Sequence, residues 1–203
     1  MNMTTHIVGG SFGILVLLLT LIKTIPQGNP LSIAGCTIYG VSMIVLYTMS
    51  SIYHGLRPGT GKKVMQILDH CSIYYLIVGT YTAILTCAMI PAYPLIGWSL
   101  LAAEWTLAAL ATILTAIDLK KYKVFSMLCY ICMGWAILPF MVQIAHLMTL
   151  QGFLFLLIGG IVYTIGAVLF GIGAKVRWIH CIFHIFVVIG SILQFISIYF
   201  YAI

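Results

Sequence analysis

Charge is what this chain has least of. Of its 203 residues, three are Asp or Glu and nine are Lys or Arg, so 6% are charged. Soluble domains carry about 25%. Hydrophobic residues make up 63%, and the mean hydropathy is +1.18. These figures exclude a water-soluble globular domain, which would precipitate at this composition. The shortage of acidic residues leaves a net charge of +6. That excess is not a nucleic-acid signal, because basic residues in a membrane protein mark its cytoplasmic loops. There is no convincing internal repeat, and no pair of spans resembles the inverted, broken-helix repeats of transporters. A cleavable signal peptide is not expected: the first apolar run has no basic stretch before it and continues far past the usual apolar region of a signal. The six cysteines, at 36, 71, 87, 129, 132 and 181, all fall in or beside apolar segments and imply no disulfide framework. Cys129 and Cys132 have the spacing of a redox or metal pair, but ordinary buried thiols account for them inside an apolar helix.

What the chain does have is apolar runs of membrane length. About 20 apolar residues cross a bilayer, and seven such runs are read at 6–25, 31–55, 65–90, 94–117, 124–146, 151–173 and 178–201. The breaks are polar or rich in Pro and Gly: "KTIPQGNP", "GLRPGTGKK", "IPAYP", "DLKKYK", "LMTLQG" and "GIGAKVR". Lipid offers the backbone no hydrogen-bond partners, so each run should be a helix. The expectation is an all-α membrane protein, with residues 1–203 forming one seven-transmembrane-helix bundle and no soluble domain.

The basic residues orient it. With seven spans, loops 2, 4 and 6 share a side with the N-terminus. They hold Arg57, Lys62, Lys63, Lys120, Lys121, Lys123, Lys175 and Arg177, eight of the nine Lys and Arg; the other side holds Lys23. Short loops obey the positive-inside rule best. The N-terminus is therefore expected in the cytoplasm and the C-terminus outside, in a multi-pass protein of the cell membrane. Membrane lipids are its expected partners. Protein partners are not specified by the sequence, which also allows a homo-oligomer.

Ionisable residues inside spans are costly and suggest function by default. His6 opens the first span and His146 closes the fifth. Glu104 lies near the middle of the fourth and belongs to no motif; it reads as a neutral or hydrogen-bonded carboxyl facing the bundle rather than as a proton relay. The others share a depth. His54 ends the second span, Asp69 and His70 begin the third, and His180 and His184 begin the seventh, all one or two turns inside the cytoplasmic face. His180 and His184 stand at i and i+4, on one helical face. Three imidazoles and a carboxylate match the make-up of a catalytic zinc centre, although imidazole suits other transition metals as well. Packed histidines near a membrane surface would give the same spacing. Ser50 precedes His54 by four residues and shares its face, where a hydroxyl can orient a ligand or a water. Asp69 and His70 point about 100° apart, and spacing alone does not choose between them.

Several segments, in order, resemble the hemolysin III family, within the wider group of progestin and adipoQ receptors. They are "NMTTHIVGG" (2–10), "SSIYHGL" (50–56), "ILDHCSIYYLIVGTYT" (67–82), "GWAIL" (134–138), "GGIVYTIGAVLF" (159–170) and "HCIFHIFVVIGS" (180–191). The resemblance implies a Zn²⁺ ion held by His54, His180 and His184, with Asp69 rather than His70 beside it and Ser50 supporting. The family's usual acidic residue three positions before Asn2 is lacking here. The resemblance also implies hydrolysis of a lipid amide or ester, with Asp69 as general base, as in related receptors and alkaline ceramidases. A second reading is a sensor or regulator of membrane energetics or lipid homeostasis, in which zinc joins helices. A secreted cytolysin fits poorly, because no amphipathic pore-lining segment is present.

Overall fold

The computed structural model describes the backbone of residues 2–173 and 177–203, with side chains described over 5–171, at 179 and over 181–203. The described residues are helical throughout, with no strand. Seven principal helices are numbered here: α1 (Asn2–Thr24), α2 (Pro30–Gly55), α3 (Thr60–Ile84), α4 (Pro94–Ile117), α5 (Lys123–Trp135), α6 (Met141–Gly173) and α7 (Arg177–Ser197).

Their ends follow from local chemistry. Gly28 adopts a left-handed conformation (φ 67°) after α1, and its N–H donates to Ile25 O. Asn29 caps α2 by accepting from Leu31 N (3.0 Å) and Ser32 N (3.4 Å), with Pro30 at the first position, where a missing N–H costs nothing. Asp118 closes the turn after α4 by accepting from the backbone of Lys120 and Lys121, at 3.0 Å each. A π-helical turn, Leu85–Met89, extends α3 just before Pro91, and another, Ile198–Ala202, extends α7.

Six helical stretches among the described residues are long and apolar enough to cross a membrane. They are Thr5–Gln27, Pro30–Gly55, Thr60–Ala92, Pro94–Ile117, Lys123–Gly171 and Cys181–Ala202. The stretch from Lys123 to Gly171 differs from the uninterrupted span expected at 124–146. Its first helix stops at Trp135, and a 3₁₀ turn follows at Leu138–Phe140. Pro139 has no N–H, and its ring conflicts with the carbonyl of Trp135, so the helix cannot run through. Thr149 then leaves helical geometry altogether (φ 63°, ψ 163°). The chain reverses there: Gly171 packs on Met127, and Trp135 Nε1 donates to Thr164 Oγ1 at 3.0 Å.

The bundle closes on itself. Each of α1 to α3 packs on its successor, α6 packs on α7, and α7 returns to α1. Helices α1 and α7 are parallel neighbours. His6 meets His184 at one end, the Phe12 and Phe195 rings lie 5.7 Å apart midway, and Lys23 Nζ donates to Tyr199 O at the other end. Helix α3 is the central element, with 78% of its span buried against 28% for α1 and α4. Close approach demands small residues: a methyl at Gly79 would overlap Ser42 Oγ of α2. Large apolar side chains such as Ile14, Leu18, Ile113 and Val168 point outward, while Ser50, Thr82, Glu104, Thr115, Ser191 and Gln194 are buried. This distribution suits lipid outside and polar groups satisfying one another inside.

Candidate functional site

The site lies at the end of the bundle where α1, α3 and α7 begin and α2 finishes. His184, in the second turn of α7, is 1% exposed; Ser50 and His6 are equally enclosed, at 1% and 3%. The His6 and His184 rings meet edge to face with centroids 3.9 Å apart, and His184 Nδ1 is hydrogen-bonded to His6 Nε2. The His54 ring lies 4.8 Å from His184, again nearly perpendicular. Tyr47 packs against His6 at 5.1 Å, and its hydroxyl is bonded to Ser191 Oγ at 2.7 Å. Three imidazoles from three helices therefore form one cluster.

Asp69 and His70 separate as adjacent helical positions should. Asp69 faces α2, where Ser50 is its hydrogen-bond partner. His70 turns toward α6: its ring lies 5.8 Å from Phe170, and Nδ1 donates to Gln66 O of its own helix at 2.7 Å. Tyr130 of α5 donates to His70 O at 2.9 Å and so fixes this turn of α3.

His6, Ser50, Asp69, His70 and His184 all line one cavity of about 510 Å³. Its polar groups gather at this end. The remainder of the wall is mostly apolar, including Leu46, Ile77, Ile84, Phe153, Leu156 and Val187. A cavity with a polar head and an apolar body has the shape and chemistry to take an amphiphile.

Among the described residues, no group of three or more His, Cys, Asp or Glu is already arranged to hold a metal ion. The side chain of His180 lies outside the described residues, so the expected triad of His54, His180 and His184 is seen only in its His54 and His184 members. The donors present do suit a transition metal. A ligating histidine usually has its second ring nitrogen hydrogen-bonded, and His6 gives His184 Nδ1 that partner, which directs metal binding to Nε2. His6 was not singled out as a site residue by the sequence, although "NMTTH" and the start of the first span at the shared depth were signals for it. His146 lies elsewhere, in a surface groove with Met141, Val142 and Leu150. Glu104 is 3% exposed, and its Oε2 has no hydrogen-bond partner among the described residues. Cys36 and Cys87, unconnected by any motif, bring their sulfurs within 3.7 Å.

Comparison with known proteins places this arrangement. A sequence profile of the family described as haemolysin-III related matches residues 1–195. The chain is 37% identical over 200 residues to Hemolysin-3 of Bacillus cereus, covering 98% of this chain and 90% of that protein. It is 32% identical over 202 residues to a Hemolysin-3 homolog of Bacillus subtilis, covering 100% and 93%. The human monocyte to macrophage differentiation factor is 26% identical over 172 residues, covering 81% and 68%. No solved structure matches the chain. A profile match over nearly the whole length, two full-length bacterial relatives and a set of membrane-length helices lead to one assignment: the chain is a multi-pass membrane protein belonging to the haemolysin-III related family.

Proposed function

We propose that this protein is a zinc-dependent hydrolase of a lipid amide or ester, working just beneath the cytoplasmic face of the cell membrane. The observation that carries the reading is the single cavity on which Ser50, Asp69, His6 and His184 converge and whose remaining wall is mostly apolar. An acyl chain fits the body and a scissile carbonyl fits the head. His54, His180 and His184 would hold the ion. Bound zinc supplies Lewis-acid activation of carbonyl and water. Asp69 takes the proton of the attacking water as general base and passes it to the leaving group. Ser50 orients the Asp69 carboxyl by donating to it. His6 fixes the ring of His184, and the apolar wall limits competing water.

The proposal includes seven spans with the N-terminus in the cytoplasm. The 49-residue stretch Lys123–Gly171 would measure roughly 70 Å as one straight helix, more than twice a hydrocarbon core of about 30 Å. Two crossings joined at Thr149 bring the count to seven. The parallel course of α1 and α7 and the clustering of basic residues favour the same topology.

The experiment pairs metal analysis with turnover. The purified protein should hold about one zinc per chain, as a single catalytic site requires. His180→Ala and His184→Ala should each strip it, and His146→Ala should not. Ceramide-like and acyl-amide lipids should be cleaved by the native protein and not by Asp69→Asn. Absence of zinc from the native protein would sink the site. Zinc without turnover across a broad lipid panel would favour the second reading, a membrane regulator in which the metal joins helices. The interlocked rings of His6, His54 and His184 from three helices support that reading.

A further inference from the structure

The mouth of the cavity is as informative as its head. Lys120 and Lys123, which flank the short turn between α4 and α5, both line the cavity and are both exposed to water. The chain has three carboxylates, and none of them answers these ammonium groups among the described residues. Asp69 is engaged with Ser50, Glu104 is buried in α4, and Asp118 accepts from the backbone of its own turn. The Lys123 charge is close enough to be felt at His70, a wall residue of the same cavity. Lys121 sits between the two in sequence but does not line the cavity; its ammonium lies over the Tyr122 ring at 5.4 Å.

Two uncompensated cations at the rim of a mostly apolar cavity form a counter-charge for an amphiphile. Lysine suits this role, being a compact point charge on a flexible stem that reaches a head group without fixed geometry. We propose that Lys120 and Lys123 select an anionic ligand: one apolar chain in the cavity and a carboxylate or phosphate head between the two ammonium groups. This deepens the hydrolase reading by giving its lipid a negative head group, and it rests on the cavity being a lipid site.

The test uses the full chain in a neutral detergent and three probes with the same brominated chain: dibromostearate, dibromostearoyl lysophosphatidate and the uncharged dibromostearoyl glycerol. Trp135 lines the cavity, and bromine in the cavity quenches its fluorescence, a signal that Trp135→Phe removes. At least one anionic probe should quench on the order of tenfold below the concentration the glycerol ester needs, the scale expected for two surface ammonium groups. Which head group does so identifies carboxylate or phosphate as the preferred source. Lys120→Gln with Lys123→Gln should bring the anionic and neutral probes within about threefold, whereas Lys121→Gln should leave the preference intact. Equal quenching by all three probes overturns the inference and leaves the cavity as a lipid site. Equal loss in Lys121→Gln overturns it too, because diffuse surface charge then accounts for the preference. No Trp135 quenching by any probe overturns both the inference and the lipid-site reading beneath it.

Discussion

His6 offers a prediction in which a residue that need not touch the metal controls its affinity. Its ring stands 3.9 Å from that of His184, it is hydrogen-bonded to His184 Nδ1, and both side chains are at least 97% buried. Without that partner, His184 loses the contact that sets its tautomer and ring angle. Outer partners of ligating histidines are worth about 10- to 100-fold in metal affinity, or about 1.4–2.8 kcal/mol. His6→Ala should therefore weaken zinc binding by that factor and leave a measurable site. His184→Ala should abolish binding. His6→Gln, which keeps a polar group in the space, should recover part of the loss. Competition against a chromophoric chelator gives the dissociation constants, and the melting temperature in detergent separates metal loss from unfolding. Native affinity in a folded His6→Ala protein refutes the orienting role. Complete loss of zinc refutes it in the opposite sense, making His6 a ligand.

Other tests address the fold. Gly79→Val should destabilise the bundle by about 1–3 kcal/mol, the usual cost of overpacking, because the side chain enters Ser42; a lower melting temperature with unchanged helical circular dichroism is expected. A cysteine introduced at Lys121 should react with impermeant maleimide only from the cytoplasmic side, and one at Gln27 only from outside; the reverse pattern overturns the orientation. Mild oxidation should join Cys36 to Cys87, whose sulfurs are 3.7 Å apart, giving a mobility shift that Cys36→Ser abolishes.

The sequence made the larger elements legible because lipid imposes a simple rule. Every backbone group must find an internal partner over about 20 apolar residues, so helix existence follows from run length. Interruptions inside apolar stretches are harder to read. Pro139 signals a break, but Thr149 carries no Gly or Pro mark, and its left-handed φ is imposed by the reversal of the chain around it. The site was legible where depth and helical spacing acted together. These place Ser50 with His54 and bring His184 level with both, and the structure puts His54 and His184 in contact. Spacing could not say which way the third helix turns; the packing of Tyr130 and Phe170 on His70 does, leaving Asp69 toward Ser50. His6 required knowing that α1 and α7 are neighbours, a long-range fact that no local window holds. The proximity of Cys36 and Cys87 is of the same kind.

The pairing of α1 with α7 bears on how the protein is made. His6 leaves the ribosome near the start of synthesis and His184 near its end, 178 residues apart. Until the final helix inserts, His6 is a polar side chain on a helix whose other faces are apolar, without the ring it will later contact. Folding of large chains proceeds through such incomplete species, whose exposed groups invite misassembly. Closure by α7 then works as a completeness check: a truncated translation product cannot satisfy its own first helix, and it stays marked for membrane quality control.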